Sequence, residues 1–87
     1  MLVITEHAWF EMNRRQVSED HVRSVAENPQ QTLTIGGGRV VHQSRYFDPA
    51  EAREMLLRVV AEEREDDFYV ITVYKTSKID KYWHRGS

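Results

Sequence analysis

Apolar and polar positions along the chain change period once, near residue 30. Before that point, ITEHAWFEMNRR reads as a helix. Thr5 suits an N-cap, and Glu6 sits in the first turn, where the helix dipole favours an acid. Arg14 and Arg15 fall at the opposite end, where cations are favoured, and Ala8, Trp9, Phe10 and Met12 make a broad apolar surface. After the link RQV, SEDHVRSVAENP reads as a second helix. Ser18 caps it, Glu19 and Asp20 fill its first turn, Val22, Val25 and Ala26 form a narrow apolar stripe, and Pro29 stops it. From there the period is two. QTLTI alternates as a half-buried strand, GGG turns the chain, and RVVHQSRYF returns as a second strand. DPAEA breaks the pattern, with Asp48 before Pro49 favouring a turn. MLLRVVAEER and FYVITVYK then give a third and a fourth strand, joined by the acidic turn EEREDD. The expected fold is α+β, one domain spanning residues 1–87, with two N-terminal helices packed on a four-stranded antiparallel sheet.

Strand parity sorts side chains by face, because successive residues point to opposite sides. In the third strand Met55, Leu57, Val59 and Ala61 share one face, and Leu56, Arg58, Val60 and Glu62 the other. In the fourth, simple alternation puts Tyr69, Ile71 and Val73 together, with Phe68, Val70, Thr72 and Tyr74 opposite. In the second, Val41, Gln43, Arg45 and Phe47 face away from Val40, His42, Ser44 and Tyr46. The apolar faces should meet the helices. The mixed faces should gather Arg58, Thr72 and Tyr74 with either Arg45 or the His42 and Ser44 pair.

Composition narrows the chemistry. The chain is 40% hydrophobic and 30% charged, which fits a folded domain rather than a disordered one. The absence of cysteine excludes disulfides, thiolate nucleophiles and cysteine-based metal sites. The N-terminus lacks a basic start and a long apolar run, so no signal peptide is expected. No apolar stretch approaches the ~20 residues of a membrane span, and a cytoplasmic location is expected. The formal net charge of −2 argues against general polyanion binding, so any contact with nucleic acid must come from a local patch. Such a patch exists from Lys75 to Arg85, where Lys75, Lys78, Lys81 and Arg85 meet a single acid, Asp80, with Tyr82 and Trp83 interleaved and Tyr74 just before. Cations hold phosphates and rings stack on bases.

Among single residues, Arg58 is the most informative, since a lone guanidinium inside LLRVV is out of place in a simple core strand. It either snorkels to water or binds an anion bidentately. Four histidines, His7, His21, His42 and His84, could titrate near neutral pH, but no pair has the i, i+4 spacing of a helical zinc site. No metal or other cofactor is expected. The triple glycine lacks the Lys-Ser/Thr of a phosphate-binding loop and does not open a helix, which leaves a hairpin turn.

The ordered set TEHAWFEMNRRQVSEDHV, ENP, LLRVVAEE and FYVITVYKTSKIDKYW resembles the bacterial domain-of-unknown-function 4258 family. That family is similar in architecture to RelE-like and BrnT-like toxins and to barnase-like ribonucleases. The resemblance implies a metal-free RNA endonuclease of a toxin–antitoxin system, whose partners would be RNA, including ribosome-associated mRNA, and an antitoxin protein. A homodimer is open. The resemblance carries roles over to His7, Arg15, Arg58, Thr72 and Thr76. Joined with the mixed strand faces and the basic tail, it makes His7, Arg58, Thr72 and Arg45 the candidate catalytic residues, and Arg15, Lys75, Thr76, Lys78 and Tyr74 the candidate RNA contacts. His7 would take the proton of the RNA 2′-hydroxyl. Arg58, with Arg45 or Lys75, would stabilise the phosphorane, leaving a 2′,3′-cyclic phosphate. Glu11 departs from the family, which often carries Arg there. Together with the acidic net charge, it supports the alternative of a non-catalytic RNA-binding or protein-interaction module on the same scaffold.

Overall fold

A computed structural model describes residues 1–85. Its elements are β1 (Leu2–Ile4), α1 (Glu6–Arg15), α2 (Glu19–Glu27), β2 (Gln31–Gly36), β3 (Arg39–Asp48), β4 (Arg53–Arg64), β5 (Asp67–Thr76) and α3 (Ile79–Tyr82). The strands form one five-stranded sheet in the order β1-β5-β4-β3-β2. This corrects the expected four-stranded antiparallel sheet with two helices. The sheet is mixed, because β1 runs parallel to β5 through Leu2↔Phe68, Val3↔Tyr69 and Ile4↔Val70. A third helix follows β5. The added strand is only three residues long, too short to display an alternating pattern, and its partner lies at the far end of the chain.

The two long helices form for the reasons their sequences suggest. The Thr5 hydroxyl accepts from the Ala8 amide at 3.2 Å, capping α1, and donates to the Val70 carbonyl at 2.8 Å, pinning that cap to β5. α1 ends on Gln16 in the left-handed conformation. Ser18 caps α2 by accepting from the His21 amide at 3.2 Å. Ala8, Met12, Val17, Val22, Val25 and Ala26 from this layer pack against Leu57, Val59, Val70 and Val73 of the sheet.

The face assignment of β5 differs from simple alternation. The register shifts between Val60 and Ala61, which oppose Thr72 and Val70, so Ile71 is an extra residue. This bulge puts Phe68 and Val70 on the same face as Val73, towards the helices, and Tyr69 with Thr72 and Tyr74 on the other face. Every residue of β4 from Met55 to Ala61 is buried, on both faces. Helices cover one side. On the other, the tail folds back over the sheet, which explains why β4 reads as a nearly continuous apolar run.

Candidate functional site

The face of the sheet away from α1 and α2 carries Arg58, Gln43, Arg45, Thr72, Tyr74 and Thr76, the alternative with Arg45 rather than His42 and Ser44. Cross-strand pairing fixes the neighbours, with Gln43 opposite Arg58 and Arg58 opposite Tyr74. Arg58 is only 8% exposed. Its Nε donates to the Gln43 side-chain oxygen at 2.8 Å, and its Nη1 donates to the Tyr74 hydroxyl. Its guanidinium carbon lies 4.3 Å from the Tyr82 ring centre and 5.5 Å from that of Tyr74. The tail therefore seals the face over Arg58. Arg45 donates to Glu54 at 3.3 Å and lies 5.1 Å from the Trp83 ring centre. Thr76, opposite the fully buried Leu56, accepts from the Lys78 amide at 3.0 Å, and Lys78 itself is exposed at the start of α3.

His7 does not join this cluster. It is exposed in the first turn of α1, and α1 packs on the opposite face of the sheet. The sheet thus separates the implied base from the implied phosphorane-binding cation. The other histidines have local roles. His42 Nδ1 bonds the Ala26 carbonyl at 2.9 Å, tying α2 to β3, and its ring packs 4.9 Å from Phe68. His21 meets the Tyr46 ring edge-on at 4.4 Å, and burial pushes its pKa down. His84 is held through its backbone, donating to Gln31 at 3.0 Å and accepting from it at 2.7 Å.

Two implied RNA contacts, Arg15 and Lys75, converge on the helix side. They line a cleft of about 300 Å³ together with Arg14, Gln16, Glu51 and Met55. The cleft lies between the C-terminal end of α1, the β3–β4 turn and the end of β5. Its cations are anchored from below. One oxygen of the buried Glu11 accepts from Arg14 at 3.0 Å and from Arg15 at 2.9 Å. These two hydrogen bonds hold the Glu11 carboxyl below its usual range. Asp48 accepts from Lys75 at 2.9 Å and from the Tyr46 hydroxyl at 3.1 Å through one oxygen, and from the amides of Ala50 and Glu51 through the other. The Lys75 ammonium beside it lowers the Asp48 pKa to about 2, whereas burial and this carboxylate push that of Tyr46 up. Among the described residues, the terminal amino groups of Arg15 have no hydrogen-bond partner, because only its Nε is engaged.

Strand parity and family likeness do not mark Arg14, Gln16, Glu51 or Met55 as site residues, nor Glu11 and Asp48 as anchors. One signal was available, since Glu11 stands three and four residues before Arg14 and Arg15, the spacing of helical ion pairs. The buried role of Asp48 had no such signal, because its partner Lys75 lies 27 residues away.

A family model described as a domain of unknown function, DUF4258, matches residues 4–75, and the chain belongs to that family. No curated protein and no solved structure matches it.

Proposed function

We propose that the protein is a non-catalytic RNA-binding module that grips a phosphate backbone in the cleft of Arg14, Arg15 and Lys75. The observation that carries this reading is the convergence of three cations from two distant segments, each fixed by a buried acid. Pre-fixed cations lose little side-chain entropy when a phosphate arrives, and the free end of Arg15 is a fork that fits phosphate oxygens. The anchoring acids also offset much of the positive charge, so the reading is of modest affinity with a shallow salt dependence. Binding is favoured over cutting because His7 and Arg58 lie on opposite faces of the sheet and Arg58 is sealed beneath Tyr82. The acidic net charge of −2 agrees with a local contact rather than a broad RNA-gripping surface.

The test is anisotropy of an end-labelled single-stranded RNA in EDTA across a salt series, with the same samples run on a denaturing gel. Three phosphate contacts to a single strand give a log–log salt slope of about −2. Wild-type protein should bind with that slope and leave the RNA intact, and an Arg14→Ala, Arg15→Ala variant should bind weakly. Cleavage that persists in independent preparations and ends in cyclic phosphate would establish the toxin-like ribonuclease instead. Absence of binding at low salt would remove RNA from the account.

A further inference from the structure

The tail lies on the sheet in the manner of a bound peptide. The side-chain amide of Gln31 accepts from the His84 N–H and donates to the His84 carbonyl, a two-point grip on the backbone donor and acceptor of one residue. Gln43 donates to Gln31 at 2.8 Å and to the Tyr82 carbonyl at 3.1 Å, so the same pair of amides holds the backbone two residues apart. Trp83 between them is extended, with φ −73° and ψ 124°. Side chains are read as well as backbone. The Tyr82 ring lies over Arg58 at 4.3 Å and edge-on to Tyr74 at 6.2 Å, and the Trp83 ring lies under Arg45 at 5.1 Å. Gln43 and Arg58, both buried, are the floor of this groove. Backbone amides give grip and ring pockets give selectivity, the two components of extended-peptide recognition.

We infer that this face is a peptide-binding groove for an extended Tyr-Trp-x segment, filled by the chain's own tail in the monomer and able to take the tail of a second copy. The second copy is the fitting occupant because it presents the same Tyr82, Trp83 and His84 against the same groove. An exchanged tail reproduces each of these contacts reciprocally between two chains related by a twofold rotation, so only the Ser77–Lys78 link and the loss of independent motion distinguish the two forms. This groove lies on the opposite face from the cleft of Lys75, and the inference does not depend on RNA binding.

Two full-length variants test it. In one, Tyr82→Ala with Trp83→Ala strips the tail and keeps the groove. In the other, Gln31→Ala with Gln43→Ala weakens the groove and keeps the tail. Each alone should run as a monomer in light scattering after gel filtration, and an equimolar mixture should give a heterodimer. A labelled peptide of residues 78–85 should bind the tail-stripped variant at least tenfold more tightly than it binds wild type, and the groove variant not at all. Wild-type protein supplies a readout free of substitutions: in a concentrated mixture of isotope-labelled and unlabelled chains, intermolecular Overhauser contacts should join Arg58 of one chain to Tyr82 of another. A monomeric mixture, no peptide capture by a tail-stripped variant that circular dichroism shows to be folded, or no intermolecular contact in wild type would each overturn the inference.

Discussion

Replacing Arg58 by alanine should destabilise the protein, and the size of the loss follows from what the side chain touches. Arg58 donates a charge-assisted hydrogen bond to Gln43 and another to Tyr74, and it lies 4.3 Å from the Tyr82 ring centre. Hydrogen bonds from a charged donor contribute about 1.5–3 kcal/mol each when buried, and a partly desolvated cation–π pair about 1 kcal/mol. These terms overlap, because truncation also lets the tail relax, so a loss of about 3 kcal/mol is the reasoned figure. For a domain of this size that corresponds to roughly 15 °C in the thermal midpoint. Arg58→Lys keeps the charge but not the planar fork, and should recover less than half of the loss. Urea titration followed by far-ultraviolet circular dichroism gives the stability. Trp83 fluorescence in a Trp9→Phe background reports whether the tail leaves the sheet in the same transition. A double-mutant cycle with Tyr82→Ala should return a coupling of about 1 kcal/mol. If Arg58→Ala stays within about 0.5 kcal/mol of wild type, the residue is not a structural clasp, and the reasoning that withdraws it from the candidate site fails.

Three further outcomes follow from the same contacts. Leu57→Ala, at a fully buried position of the helix–sheet core, should cost about 3 kcal/mol in urea unfolding without a change in slope. Acid should weaken the fold through Asp48, whose pKa falls from an ordinary 3.8 to about 2 in the folded chain. The unfolded chain binds the proton first as pH drops, so this contribution is complete above about pH 4 and is lost towards pH 2; Asp48→Asn should flatten that limb of a stability–pH curve. Glu11→Gln frees Arg14 and Arg15 from a negative neighbour, and should tighten RNA binding at low salt about threefold, with the gain fading as salt rises.

The helices were legible because their caps and stripes are local. Thr5, Ser18 and the Val22, Val25, Ala26 stripe lie within a few residues of the backbone they govern. The β2–β3 and β4–β5 hairpins were legible for the same reason. β1 was not, since parallel pairing joins residues 66 positions apart and leaves no periodic trace in three residues. Parity along β5 failed at one point, the extra Ile71, and a one-residue slip sends every later side chain to the other face. At the site, the mixed face of Arg58, Arg45 and Tyr74 could be assembled from alternation, but the chain tail that closes it could not. The apolar run Met55–Ala61, broken only by Arg58, was the available sign that both faces are covered. Family likeness points to Arg15 and the basic tail to Lys75. Their convergence required the register of β5 against the helix layer.

The most direct test of RNA binding at the helix-side cleft is a titration of isotope-labelled protein with single-stranded RNA, followed by amide chemical shifts. The account predicts that perturbed amides cluster at Arg14–Gln16, around Glu51 and at Lys75. Perturbations centred on Arg58, Tyr74 and Trp83, with the cleft unchanged, would contradict it.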